Sequence, residues 1–97
     1  MPADMHKAGV EFALTTDHDV MPIWFLPYFA AITVREGLDE ESAFRSITIN
    51  GAKVAGIEDR VGSLKVGKDA DIVVFSGHPF HYLTKTKAVF IDGKQVD

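Results

Sequence analysis

The sequence predicts an α/β fragment, in which one buried strand and several helices precede a separate group of short antiparallel strands. Three observations carry this. Val10–Thr16 (Val-Glu-Phe-Ala-Leu-Thr-Thr) is short, β-prone and mostly apolar, as a strand covered on both faces should be. From Met21 to Ile57 the apolar residues recur at helical spacing. After Asp59 the chain turns to short strands separated by glycine-containing turns. A lone parallel strand needs a neighbour supplied by a strand–helix–strand series, and none follows here. The edges it would leave open are a liability, so the order of elements implies a piece of something larger.

Taken in turn, Lys7-Ala8-Gly9 reads as a helix end, with Gly9 suited to the left-handed position after the last turn. The strand over 10–16 stops at the polar cluster Asp17-His18-Asp19. A helix is expected over 21–36, burying Ile23, Leu26, Ala30 and Val34 with Phe29 and Thr33 beside them. Pro22 fits its first turn, and Pro27 bends it or delays its regular start. Gly37 ends it, and Asp39 caps a second helix whose apolar face is Ala43, Phe44 and Ile47, with Glu40 and Glu41 toward its positive end. Asn50-Gly51 is expected to break that run, leaving one or two further turns over 52–57.

In the second part, 62–67 reads as a short strand between glycines and 71–75 as a buried strand. Residues 88–96 form a hairpin whose Asp92-Gly93 supplies the two positive-φ positions of a type I′ turn. The aromatic cluster Trp24, Phe25, Tyr28 and Phe29 is expected to pack in a core, or to form an exposed sticky face if the segment runs free of its neighbours.

Composition removes several functions. The chain has 97 residues, 46% of them hydrophobic and 25% charged, which is ordinary globular usage. A net charge of −4, with lysines 53, 65, 68, 85, 87 and 94 scattered among acids, argues against nucleic acid as a partner. The absence of cysteine excludes disulfides, thiolate metal sites and a cysteine nucleophile. The longest apolar run, near 21–34, is interrupted by Pro22, Pro27 and Thr33 and falls short of the ~20 residues a membrane span needs. The first residues lack the layout of a signal peptide. A cytoplasmic chain without a membrane or nucleic-acid partner is therefore expected.

Few residues suggest chemistry. Asp17 follows an apolar strand directly and is read either as a catalytic carboxylate or as a helix cap that orders the loop. Asp17, His18 and Asp19 do not read as one chelate, because neighbours on an extended chain point in opposite directions. His18 is loop polarity or a contact to the edge of a substrate. Gly77-His78-Pro79 with His81 is better explained as a turn than as a ligand pair, since proline restricts the residue before it to extended geometry. Lys65 and Lys68 flank Gly67 in a tight turn, and no phosphate-binding glycine fingerprint is present.

Several strings occurring in order carry a resemblance: Ala13-Leu-Thr-Thr-Asp17-His18, then Gly37-Leu-Asp-Glu-Glu-Ser-Ala43, Ile47-Thr-Ile-Asn50, Arg60-Val-Gly-Ser-Leu-Lys-Val-Gly-Lys-Asp-Ala-Asp-Ile-Val-Val-Phe75 and Val89-Phe-Ile-Asp-Gly-Lys94. Over about residues 10–97 the chain resembles the C-terminal end of the metal-dependent amidohydrolases, in particular their imidazolonepropionase-like and dipeptidase-like branches. The resemblance implies the last strand and helices of a (β/α)8 barrel over 1–57, followed by C-terminal strands of a small antiparallel β-sandwich over 58–97. Barrels of this type need ~250 residues, so most of one is absent.

The resemblance also implies roles. Asp17 would stand at the place of an aspartate that contacts a divalent metal, zinc foremost, and moves a proton from the attacking water to the leaving amine. It could be a metal ligand only in a complete barrel. The family's His-x-His pair and its further histidine ligands cannot be placed among His6, His18, His78 and His81. The expectation is a C-terminal portion of a hydrolase acting on an amide, cyclic amide or dipeptide-like C–N bond of a small-molecule substrate. Alone it would be inactive and would bind no metal, because a catalytic metal wants several protein ligands. The alternative is a non-catalytic, self-associating fragment or structural subunit. Self-association is expected on either reading.

Overall fold

The computed structural model describes residues 2–16 and 25–97. Among these residues four helices come first: α1 (Pro2–Lys7), α2 (Leu26–Arg35), α3 (Glu40–Ser46) and α4 (Ile49–Ala55). Three strands follow, β1 (Ile72–Phe75), β2 (Thr86–Ile91) and β3 (Lys94–Gln95), in one antiparallel sheet of order β1-β2-β3. Among the described residues no helix is long and apolar enough to cross a membrane.

The helix boundaries follow from local chemistry. Pro27 sits in the first turn of α2, where its missing N–H leaves no bond unmade, and regular helix starts at Leu26. Its C-terminus closes in a Schellman motif: Leu38 N–H donates to the Thr33 carbonyl and Gly37 N–H to that of Val34, each at 3.0 Å. Gly37 takes φ +115°, a value a side chain would resist. The C″ residue Leu38 then turns inward and is buried. The same bond pattern ends α1 at Gly9 and α4 at Gly56. Asp39 caps α3 through a 2.9 Å bond from the Ser42 backbone N–H.

Five expectations are corrected. Residues 10–16 pair with no strand among the described residues and have no regular secondary structure. A strand exists only as part of a ladder, and the apolar pattern cannot supply the partner. Residues 62–67 likewise form turns, with Lys68 N–H donating to the Lys65 carbonyl at 3.1 Å around Gly67, so the tight turn there is present but the strand is not. The Asn50-Gly51 break does not occur, and α4 runs through both residues because Asn50 uses its side chain in a tertiary bond. The strand at 71–75 is present as β1, but Val73, Val74 and Phe75 are exposed rather than buried, since nothing among the described residues covers them. Phe25, just before α2, and Phe29 within it are only half-buried and Tyr28 is exposed, so they are not core; Ile23 and Trp24 lie outside the described residues.

The hairpin is as expected. Phe90 pairs with Gln95 and Ile91 with Lys94, leaving Asp92 (φ +54°) and Gly93 (φ +79°) as its two-residue loop. The core is small. Ala30, Leu38 and Ala43 form its buried centre, and Phe12, Leu14, Val34, Ile47 and Phe80 pack partly against it. The sheet meets the helices mainly through the turn that follows β1. There Phe80 stacks on Phe44 of α3 with ring centroids 4.8 Å apart.

Candidate functional site

Asp17 and His18, the residues the sequence singles out, lie outside the described residues, as does Asp19. What the structure describes is the segment that delivers the chain to Asp17. Phe12 and Leu14 lay their side chains against the core. Leu14 N–H donates to the Ser46 carbonyl at the end of α3 at 2.9 Å. Asn50 Nδ2 of α4 donates to the Phe12 carbonyl at 3.0 Å. Glu11 meets Lys53 at 3.4 Å, an exposed pair that contributes little. Thr16, one residue before Asp17, is 7% exposed. Two helices therefore hold the approach to Asp17 at alternate residues.

Asn50 is the residue that sequence reasoning misses. Its local context reads as half of a turn dipeptide, yet it is 8% exposed and its amide is the clip on Phe12. The available signal is a polar residue on the inward side of an otherwise apolar run, because a buried amide finds a partner. Its Oδ1 is buried without a hydrogen-bond partner among the described residues.

The other histidines have structural contacts. His6 Nε2 lies 3.4 Å from Asp39 Oδ1 and 3.5 Å from Ser42 Oγ, joining α1 to the first turn of α3. The Ser42 backbone N–H, and then its hydroxyl, hold the Asp39 carboxyl below the ordinary carboxylate range, with a smaller pull from His6. His78 Nδ1 accepts from the Phe80 backbone N–H at 3.1 Å, and its Nε2 lies 3.2 Å from Glu40 Oε2. His81 N–H donates to the His78 carbonyl at 3.0 Å, closing the turn expected at Gly77-His78-Pro79. Lys68 Nζ donates to Ser63 Oγ at 2.8 Å within its own loop. No three His, Asp or Glu side chains converge into a metal site among the described residues.

A broad concavity among the described residues lies elsewhere. A trough of about 770 Å³ runs between α3–α4 and β1, walled by apolar side chains including Ile49, Ile57, Val61, Leu64 and Val73. The charged residues along it are Arg45, Asp69 and Asp71. Such a surface buries apolar groups and offers no convergent set of catalytic ones.

Set against known proteins, the sequence matches the amidohydrolase family over residues 1–96. It is similar to the imidazolonepropionase of Fusobacterium nucleatum, with 32% identity over 103 aligned residues that cover 95% of this chain and 24% of that protein. The structure superposes on an amidohydrolase from Thermotoga maritima MSB8 with a TM-score of 0.94 and 46% identity, covering 98% of this chain and 25% of that one. It also superposes on an adenosine deaminase from Xanthomonas campestris with bound Zn, with a TM-score of 0.71 and 27% identity over 97% of this chain and 27% of that one. The chain spans about a quarter of the length of these relatives.

Proposed function

Since this chain belongs to the amidohydrolase family, we propose that it is the C-terminal portion of a metal-dependent hydrolase of C–N bonds and contributes Asp17 to the active site. The match over residues 1–96 carries this reading, together with relatives named imidazolonepropionase and adenosine deaminase. On this reading residues 1–57 are the last strand and helices of a (β/α)8 barrel, and 58–97 are strands of a small β-sandwich. Residues 10–16 become a strand once neighbours are present to complete its ladder. Catalytic groups of such barrels sit at the C-terminal ends of the strands, which is where Asp17 follows Thr16.

The described residues hold no set of ligands that fits a metal, so no step assigned to this chain runs through one. Its part is proton carriage. The Asp17 carboxylate takes a proton from the water attacking the carbonyl carbon and delivers it to the departing nitrogen. General acid–base transfer of this kind is worth roughly 10²–10⁴-fold in rate. His18, the next residue, is placed at the edge of the substrate. The substrate is a small molecule with an amide, cyclic amide or dipeptide-like bond. Alone, the chain is expected to be inactive and to hold no metal. The proposed compartment is the cytoplasm.

A chimera tests this. The matching quarter of the Thermotoga maritima amidohydrolase is replaced by residues 1–97, and hydrolysis is assayed over a panel of amides, cyclic amides and dipeptides. The expected result is turnover by the chimera and a loss of roughly 10²–10⁴-fold on Asp17→Asn. A chimera that folds and turns over equally well with the Asp17→Asn substitution overturns the role given to Asp17.

A further inference from the structure

We propose that Asn50-Gly51 is a site of spontaneous deamidation, and that the hydrogen bond from Asn50 to the Phe12 carbonyl is the brake on it. The reaction needs only this chain and water, and does not depend on the hydrolase reading.

The chemistry belongs to two neighbours. The backbone nitrogen of Gly51 gives up its proton to solvent and attacks the side-chain carbonyl carbon of Asn50. A new C–N bond forms, the bond from that carbon to Nδ2 breaks, and Nδ2 takes up a proton and leaves as ammonia. Water then opens the resulting five-membered imide at either of its carbonyls. One opening gives aspartate and the other isoaspartate, with no oxidation or reduction. Glycine suits the attacking position because it has no side chain to screen its nitrogen.

The attacking side is ready. α4 begins without a side-chain cap, and its backbone bonding opens with Ala52 N–H donating to the Thr48 carbonyl at 3.1 Å. Gly51 N–H, one residue earlier, is among the first-turn amides that a helix leaves without an acceptor of its own. A carbon added to Gly51 would meet nothing within 4 Å, so its surroundings are open. A cavity of about 230 Å³ beside Asn50, lined also by His6, Ser42 and Arg45, gives water a way in and ammonia a way out.

The attacked side is restrained, but at one end only. Asn50 is 8% exposed, and Nδ2, the atom that must leave, donates to the Phe12 carbonyl at 3.0 Å. Oδ1 has no partner among the described residues. Loss of a single bond therefore frees the side chain to turn onto Gly51, and that bond opens whenever the segment over 10–16 lifts from α4. The rate follows this local opening rather than global unfolding. Neither product restores the bond. Aspartate turns an acceptor toward the Phe12 carbonyl. Isoaspartate carries the main chain through the former side chain, adding a carbon to the backbone and interrupting α4. Either way the segment that leads to Asp17 loses its tie to α4.

The test is incubation of the 97-residue chain in warm, mildly alkaline buffer, with and without urea. Isoaspartate is counted by methyltransferase labelling and located by peptide mass mapping. Circular dichroism reports folding; if the chain is unfolded before urea is added, the chimera carrying residues 1–97 takes its place. The expected result is product at position 50 in both conditions, forming at least about tenfold more slowly in the folded protein. Phe12→Ala loosens the segment against the core and should raise the folded rate severalfold. Glu11→Gly, at an exposed position of the same segment, replaces it if Phe12→Ala melts the protein. Gly51→Ala should slow the reaction in urea at least about tenfold, because a methyl group then screens the nitrogen. Hydrogen exchange at Ala13 and Leu14 should quicken in the aged folded protein. Equal rates with and without urea, or a folded rate indifferent to loosening of the segment, overturn the brake. Urea-treated chain that stays unmodified at position 50 overturns the site.

Discussion

Asn50 Nδ2 donates a hydrogen bond to the Phe12 carbonyl at 3.0 Å, tying α4 to a segment 38 positions earlier in the chain. With the Leu14 N–H bond to Ser46, it sets the path that ends at Thr16. The two ends of the Asn50 amide differ, since Nδ2 is paired and Oδ1 is buried without a partner among the described residues. Asn50→Ala removes a bond and an unmet acceptor together, so its cost should sit near the low end for a buried hydrogen bond, about 1 kcal/mol. Asn50→Asp keeps the shape but turns an acceptor toward the Phe12 carbonyl, and should cost about 2–3 kcal/mol. Denaturant melts that rank Ala below Asp in stability would contradict this assignment, as would unchanged hydrogen exchange at Ala13 and Leu14 in Asn50→Ala.

Two glycines should respond oppositely to alanine. A Cβ on Gly62 would lie 2.8 Å from Ala52 Cβ and 3.0 Å from Ile49 Cα, at φ +98°. Overpacking and left-handed strain together should cost about 2–4 kcal/mol. Gly51 lies inside α4 with nothing within 4 Å of the added carbon, so Gly51→Ala should stabilise by about 0.5–1 kcal/mol. Urea midpoints that move the same way in both variants would show that Gly62 is not the tight contact between its loop and α4.

The contact between the sheet and α3 should be carried by rings rather than charges. Phe44 and Phe80 stack at 4.8 Å with planes 24° apart, and a double-mutant cycle to leucine should give about 0.5–1.5 kcal/mol of coupling. His78 and Glu40, 3.2 Å apart with side chains 42% and 63% exposed, should give at most about 0.5 kcal/mol, lost in high salt. A His78–Glu40 coupling larger than that of Phe44–Phe80 would reverse the ranking.

Asp39 makes the acid limb of stability specific. Its folded carboxyl titrates below its ordinary value, first because of the Ser42 backbone N–H. A lowered folded pKa contributes stability that is present above the unfolded value of about 3.9 and is lost as pH falls through the folded value. Asp39→Asn keeps a capping oxygen but cannot titrate, so its stability should fall less between neutral pH and pH ~3 than that of the unmodified chain. Parallel pH profiles for the two proteins would exclude Asp39 as a contributor.

The fold is legible in the sequence where the cause is local. The Gly37 stop, the Asp39 cap and the Asp92-Gly93 hairpin each depend on a few adjacent residues, and each is present. It is not legible where the cause is distant. Val10–Thr16 has the composition of a strand and no ladder among the described residues, because hydrogen-bonded neighbours lie outside what a local pattern can specify. Asn50-Gly51 has turn chemistry but lies in a helix, because one tertiary bond outweighs a weak local preference.

The sequence by itself determined the family. Ordered motifs from Ala13 to Lys94 identify an amidohydrolase, and the match over residues 1–96 agrees. It also determined the caps and turns, since these are settled by the φ preferences and hydrogen-bonding reach of neighbouring residues. Only the tertiary structure decided which apolar residues are covered. Val73, Val74, Phe75 and Leu64 have the composition of a core and lie on the surface. Burial belongs to the contact between two surfaces, and a local pattern specifies only one of them.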